Sequence, residues 1–393
     1  MEAVVGAEEV AETLGQLGST LESLMKSKSS EDAKAAIEQI GRCNAFSILP
    51  QNADIIVRSG ANAPAGEVAG LGVIVKAMVD ISKAGSSIPK QESILAACSS
   101  CLFGISSCVA DDEDLREMLG KSGALEAVIK AIKANPRLKS SVAAGVEFLD
   151  KYATVGDAAK VILESGGVEA LVAAMRANPT EPKVTLAAVD TMCRLASTDA
   201  GAVAVAKHGG TRQVVLAVQS NTNTPGFREP MERMLSLLQR VATTNEGSDL
   251  LVRQGGVDAV IAAADAVSDS ARVAQSSSRV LGRLLMDEDV EATVDELGDL
   301  MKTVRRGKVP AVDAIKPVLS RLGHMANVGD YGAFISSKDG VANLAQVIDV
   351  LLKSEDEAVQ QELLPVAFQA LANLSQAPGV TIDEGLGIDS LIS

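Results

Sequence analysis

A phrase of fifteen residues occurs twice in the chain, and this repetition restricts the possible folds more than any other feature. Ser122 to Pro136 reads SGALEAVIKAIKANP, and Ser165 to Pro179 reads SGGVEALVAAMRANP, a displacement of 43 residues. Related phrases begin at His208 (HGGTRQVVLAV) and at Gln254 (QGGVDAVIAAA). A period of about 20–50 residues is typical of repeat proteins, whose units bury their apolar faces against one another. We therefore predict a stack of repeats, which explains how 393 residues can avoid dividing into separate cores.

Glycines mark the same point in each predicted repeat, between a short first helix and a second helix. They are Gly123, Gly167, Gly210, Gly256, Gly298 and Gly340, with Gly15, Gly72 and Gly387 at looser spacing. The intervals within the main series are 44, 43, 46, 42 and 42 residues. Glycine permits the left-handed backbone of a sharp turn between helices. Apolar residues recur at three and four positions on both sides of the turn, which predicts a second helix over 168–176 and a longer third helix over 184–197.

This order of a glycine turn, an apolar helix and a closing helix that ends in ALANLS (Ala370–Ser375) resembles the armadillo repeat family. The resemblance implies an all-α fold, a right-handed α-solenoid of about eight armadillo-like three-helix repeats. We expect one solenoid over 1–393, with a divergent N-terminal repeat or cap (1–60), core repeats (61–375) and the start of an incomplete ninth repeat (376–393). A HEAT array, with two helices per repeat, is the alternative, and the Gly-Gly turn favours the armadillo form.

Bulk charge and composition limit the partners and the compartment. The net charge of −15 argues against nucleic acid and anionic lipid as partners, because the mean field repels phosphate. No apolar run approaches the roughly 18–20 residues of a membrane span, so we predict no membrane insertion. The five cysteines form an odd number within apolar helical pattern and are predicted to be buried thiols in a reducing compartment. We expect a cytoplasmic protein, with a cytoskeletal or ciliary location as the narrower alternative.

Residues suited to catalysis or metal binding do not form a recognisable motif. The two histidines, His208 and His324, are 116 residues apart, and no HExxH or GxxxxGK[ST] motif occurs. Cys98 and Cys101 form a CxxC without a second ligand pair. We therefore predict a protein that is not an enzyme, with no catalytic residues, no metal site and no cofactor.

A column of residues on the third helices is the main candidate site. The resemblance implies that third helices line a concave groove, where a column of asparagines binds the backbone of an extended peptide. Here Asn373 keeps that residue type, whereas the other positions are largely basic. The candidate groove residues are Arg194, Arg240, Arg279, Arg283, His324 and Asn373.

The spacing of charges distinguishes members of this column. Asp190 lies one turn before Arg194, which predicts an intrahelical ion pair. Arg279 lies one turn before Arg283, and like charges so placed cost stability unless an acidic group offsets them. A carboxylate or a phosphate binds a guanidinium in a bidentate geometry. Arginines that bind neighbouring repeats are the structural alternative for the whole column.

These features predict a non-enzymatic protein-binding scaffold or adaptor whose groove takes an acidic or phosphorylated segment of a partner protein. The first alternative is a structural subunit of a large complex, such as a ciliary or cytoskeletal assembly, without a transient groove ligand. The second is a solenoid that acts like a myosin chaperone or a GTPase regulator. A secondary basic loop, for which solvated charge is the simpler interpretation, contains Lys302, Arg305, Arg306 and Lys308.

Overall fold

The computed structural model describes residues 6–61, 69–109, 111–153, 158–304 and 311–380. These ranges contain α-helices and one short 3-10 turn, Gly85–Ser87, and they contain no β-strand. The predicted all-α class is therefore confirmed. The chain divides into two compact units, Met1–Val241 and Ala242–Ser393. The single solenoid over 1–393, with its three predicted ranges, stays a prediction.

The first unit contains five successive repeats, of which the first has two helices and the other four have three. The helices are α1 (Ala7–Ser27), α2 (Ser30–Ser47), α3 (Pro50–Ala61), α4 (Leu71–Ala84), α5 (Gln91–Cys108), α6 (Glu113–Lys121), α7 (Ala124–Ala134), α8 (Lys139–Tyr152), α9 (Ala158–Glu164), α10 (Gly167–Ala177), α11 (Pro182–Leu195), α12 (Asp199–Lys207), α13 (Gly210–Asn221) and α14 (Arg228–Val241).

Helices of the same kind pack in rows through this unit. The third helices α2, α5, α8, α11 and α14 each contact the next in sequence, and the row α1, α4, α7, α10, α13 does the same. The interior consists mainly of Ala, Val, Leu and Ile, and Phe148, which stacks on Tyr152 at a centroid distance of 5.6 Å, is among the few large rings. Small aliphatic side chains let the helices approach closely, and each repeat buries its apolar face against its neighbours.

Each glycine of the Gly-Gly turn is required for a different physical reason, as the pair Gly209–Gly210 illustrates. Gly209 adopts a φ of 86°, a left-handed conformation that side chains rarely tolerate. Gly210 has an ordinary conformation, but a Cβ there would lie 2.7 Å from Cγ1 of Val205 and 2.9 Å from its carbonyl oxygen. The first glycine therefore supplies the turn, and the second permits close approach of the two helices.

The second unit contains three repeats, of which the middle one has two helices. The helices are α15 (Asn245–Arg253), α16 (Gly256–Ala266), α17 (Ala271–Leu284), α18 (Asp287–Val304), α19 (Val312–Ala326), α20 (Tyr331–Ser337), α21 (Gly340–Leu352) and α22 (Glu357–Gln376). Helix α19 packs on α16, α17, α18, α20 and α22.

Three of the predicted glycine turns need correction. Gly15 lies inside α1 and Gly298 inside α18, so each of these repeats has one long helix in place of the first two. Neither glycine belongs to a Gly-Gly pair, and apolar residues continue at helical spacing through both positions, so the helix continues. Gly72 lies inside α4, and Gly70 takes the positive φ of 55° instead. Gly387 lies outside the described residues.

Candidate binding surface of the third helices

Two third-helix arginines of the first unit pair with carboxylates of the preceding repeat. Arg194 on α11 binds Asp150 on α8, with Nε 2.8 Å from Oδ1 and Nη2 3.4 Å from Oδ2. Arg233 on α14 lies 3.3 Å from Asp190 on α11. The predicted intrahelical pair between Asp190 and Arg194 is therefore wrong. Arg194 instead uses two nitrogens of its guanidinium group to bind the carboxylate of Asp150 on the neighbouring helix.

The electrostatics of this row follow from partial burial. The hydrogen bonds that Arg194 donates to Asp150 raise the pKa of Arg194, which remains charged. Burial raises the pKa of Asp190, and the nearby Arg233 opposes that shift. Arg240 is exposed near the end of α14, the same helix that carries Arg233. Arg194 therefore links two neighbouring repeats, which was the structural alternative to a ligand-binding role.

A different row of asparagines links the repeats at the ends of the second helices. Asn178 Nδ2 donates to the carbonyl oxygen of Pro136 at 2.8 Å, and Asn221 Nδ2 donates to that of Pro179 at 3.2 Å. Both side chains are 2% exposed. Sequence reasoning missed this row, although its signal, ANP, lies inside the repeated phrase at 134–136 and 177–179.

In the second unit, two predicted groove residues are occupied by contacts within the unit. Asn373 Nδ2 donates to the carbonyl oxygen of Gly323 on α19 at 2.9 Å, and its Oδ1 accepts from Gln369 at 2.9 Å. His324 Nε2 lies 2.8 Å from Oδ1 of Asp265 on α16. Asn373 and His324 therefore act first as links between neighbouring helices.

Arg279 and Arg283 differ from these residues. Both are exposed on α17, one turn apart, and neither has a hydrogen bond or an ion pair with another described residue. Arg272, two turns before Arg279, is exposed and unpaired among the described residues in the same way. We name the surface formed by Arg272, Gln275, Arg279 and Arg283 the α17 basic face.

The sequence of α17 explains why this face points outward. The Ser270 side chain caps the helix by accepting from Val273 N at 3.4 Å. The opposite side of the helix is buried through Val273, Ser277, Val280, Leu281 and Leu284. These positions recur at three and four residues, so they hold one stripe against the unit and leave the arginines in solvent.

Among the described residues, neither the secondary basic loop nor the cysteines form a second candidate binding site. Lys302 pairs with Asp299 at 2.6 Å, whereas Arg305, Arg306 and Lys308 lie outside the described residues. Cys98 and Cys101 are fully buried, as predicted, and burial raises the pKa of Cys98 to about 12. Among the described residues, no three potential metal ligands lie together. Within the same ranges, no helix combines the length and the apolar character that a membrane crossing requires.

Comparisons with known proteins give likenesses of fold only. No protein-family model matches the sequence, and neither does any curated protein. The solved structures that resemble it include an engineered protein with 20% identity and a TM-score of 0.46, covering 95% of this chain and 91% of that one. A second engineered protein has 20% identity and a TM-score of 0.48, covering 67% and 96%. A designed armadillo repeat protein has 15% identity and a TM-score of 0.38, covering 77% and 99%.

The chain has an armadillo-like repeat fold. The order of the helices and the glycine turns between the first and second helices show this fold. A helical repeat scaffold of this kind is suited to binding proteins along its exposed helix faces.

Proposed function

We propose that this armadillo-like protein is a binding scaffold, not an enzyme, and that its α17 basic face holds an acidic or phosphorylated segment of a partner protein. One observation supports this proposal above all. Arg279 and Arg283 are exposed and unpaired among the described residues, whereas Arg194 and Arg233, on other third helices, each have a carboxylate partner from a neighbouring repeat.

The chemistry of the face favours an anionic ligand. Residues four apart on a helix have Cβ atoms about 5–6 Å apart, so the two guanidinium groups repel one another in the free protein. A carboxylate or a phosphate between them would remove that repulsion and form charge-assisted hydrogen bonds. The whole chain has a net charge of −15, so attraction of an acidic segment must be local to this face.

A direct test uses the full chain and two fluorescein-labelled peptides, one of repeated glutamates and one with phosphoserines. Binding is followed by fluorescence anisotropy. We expect the double variant Arg279→Glu/Arg283→Glu to bind at least about tenfold more weakly than the natural chain. The matched control is Arg212→Glu/Arg253→Glu, which changes two exposed arginines elsewhere and alters the net charge by the same amount.

The control separates local contact from general repulsion. If both double variants lose affinity equally, long-range charge and not the α17 basic face explains binding, and the proposal fails. The same holds if neither peptide binds the natural chain at low salt. Circular dichroism of both variants verifies that helical content is unchanged, as expected for exposed positions.

A further inference from the structure

The corner between α17 and α18 carries three kinds of exposed side chain within ten residues. Arg279 and Arg283 lie on α17, Met286 follows in the connection, and Asp287 and Glu288 begin α18. All five are exposed, and Met286, at 59%, is as exposed as any large apolar side chain among the described residues. The corner therefore has a basic part, an apolar centre and an acidic part, in that order along the chain.

The opposite charges of this corner do not pair within the chain. Arg283 lies four residues before Asp287 and five before Glu288, yet among the described residues it has no ion pair with either. The extended backbone of Leu285 (φ −76°, ψ 140°) ends α17 and turns the chain into α18. Tyr331 holds this connection, because its hydroxyl donates to the carbonyl oxygen of Leu285 at 3.2 Å. Both charged parts are therefore left for a second molecule.

Each charged part also brings like charges together. Arg279 and Arg283 lie one turn apart on α17, where two cations repel. In the acidic part, burial raises the pKa of Tyr331, and the nearby Asp287 and Glu288 raise it further, so the local field there is negative. A surface of opposite sign would relieve the repulsion within each part.

Leu352, 42% exposed in the same unit, provides a contrast. The cation next to it, Lys353, pairs with Asp349 on its own helix at 2.8 Å. That exposed apolar residue therefore lies beside charges that are already matched within the chain. Met286 differs because the arginines on one side of it have no carboxylate partner among the described residues.

We infer that a second copy of this chain binds the corner in a two-fold symmetric contact centred on Met286. The basic part of each copy lies against the acidic part of the other, and the two Met286 side chains meet at the axis. A two-fold axis allows this because the basic and acidic parts lie on opposite sides of Met286 along the chain. Methionine at the centre and charges at the rim are also the usual composition of a protein interface.

The size of the corner suits one contact of this kind. At most about 22 Å separates Arg279 from Glu288 along the chain, given about 1.5 Å per helical residue and about 3.5 Å per extended residue. A standard interface covers about 800 Å² on each partner, which is a patch about 32 Å across. Both charged parts and Met286 therefore fit within a single interface.

This inference rests on the proposed function, because the same arginines would bind carboxylates, here those of α18 in the second copy. The net charge of −15 on each copy opposes association, so we expect a weak dimer, half formed at about 100 µM. A phosphoserine peptide that occupies the α17 basic face should dissociate this dimer.

The first test is sedimentation equilibrium of the full chain at about 10–500 µM in 0.15 M salt, where a Debye length of about 8 Å screens the repulsion between whole copies. We expect the average mass to rise from that of one chain toward that of two. The mass of one chain at every concentration would overturn the inference. The peptide assay of the proposed function needs no dimer, so the two proposals can fail separately.

Charge reversal tests which parts meet. The acidic variant, Arg279→Glu/Arg283→Glu, and the basic variant, Asp287→Arg/Glu288→Arg, should each stay a single chain at about 500 µM, because each then has two parts of like sign. The variant that carries all four changes should dimerise again, since its two parts are once more of opposite sign. Failure of the fourfold variant to dimerise would contradict the pairing.

A mixed contact provides the matched control. A fluorescein-labelled basic variant should bind the acidic variant at least about tenfold more tightly than it binds Arg212→Glu/Arg253→Glu, as measured by fluorescence anisotropy. The two binding partners have the same net charge, and Arg212 and Arg253 are exposed outside the corner. Equal binding of both partners would show that long-range charge, and not the corner, causes association.

The apolar centre is tested without any change of charge. Met286→Ser should weaken the dimer of the natural chain at least about fivefold, because the two side chains meet at the axis. Leu352→Ser changes another exposed apolar residue of the same unit and should leave the dimer within about twofold of the natural chain. Equal effects of the two substitutions in sedimentation equilibrium would refute a contact centred on Met286.

Discussion

Replacement of Asn178 by alanine should destabilise the first unit by about 1–2 kcal/mol. The Asn178 side chain is 2% exposed and donates to the carbonyl oxygens of Pro136 at 2.8 Å and of Ala174 at 2.9 Å. The net contribution of one hydrogen bond to the free energy of unfolding is about 0.5–1.5 kcal/mol, and leaving a buried acceptor without a partner costs more. Two effects reduce the total, because Pro136 is only half-buried and because Asn178 Oδ1 itself lacks a partner in the described residues.

The assay is urea unfolding followed by circular dichroism at a helical wavelength. The control is Asn223→Ala, which changes an exposed asparagine in the connection before α14 and should stay within about 0.5 kcal/mol of the natural chain. Because repeat stacks can unfold in more than one step, the first transition is the one compared. If Asn178→Ala and Asn223→Ala unfold at the same urea concentration, the asparagine row does not link the repeats.

Three further predictions concern packing, thiols and surface charge. Gly201→Ala should lower the melting temperature markedly, because its Cβ would lie 1.9 Å from the carbonyl oxygen of Leu195; an unchanged thermal unfolding curve would contradict this. Burial raises the pKa of Cys43 to about 11 and that of Cys98 to about 12, so the unfolded chain loses these protons first. Stability to urea should therefore fall as the pH rises above about 8.5, and Cys43→Ala/Cys98→Ala should flatten that fall. Arg233→Ala should change the free energy of unfolding by about 1 kcal/mol, since solvent still reaches its half-exposed ion pair with Asp190; a much larger loss in urea unfolding would refute this.

The repeat architecture was predictable because its signals are local. The doublet of Gly209 and Gly210 specifies a turn and a close helix approach, and both are observed. A lone glycine carries less information, because a helix accommodates it when the flanking apolar positions keep their spacing. For that reason Gly298 was wrongly expected to end a helix.

The candidate site was only partly predictable, because partners across repeats are remote in sequence. Arg194 has an acid one turn earlier, yet it pairs with Asp150, 44 residues away. His324 and Asn373 were assigned to the groove column, and their contacts with Asp265 and Gly323 depend on how α19 is rotated against α16 and α22. The exposure of Arg279 and Arg283 agrees with the sequence expectation, since both lie opposite the buried stripe of α17.

The central claim is that the α17 basic face, and not the paired arginines of the first unit, meets the anionic segment. Nuclear magnetic resonance of the full chain with 15N-labelled arginine tests this most directly, through the Nε–H signals during titration with the phosphoserine peptide. We predict shifts for Arg279 and Arg283, while Arg194 and Arg233 stay unchanged in their ion pairs. Shifts confined to Arg194 and Arg233, or no shift in any of the four signals, would contradict the account.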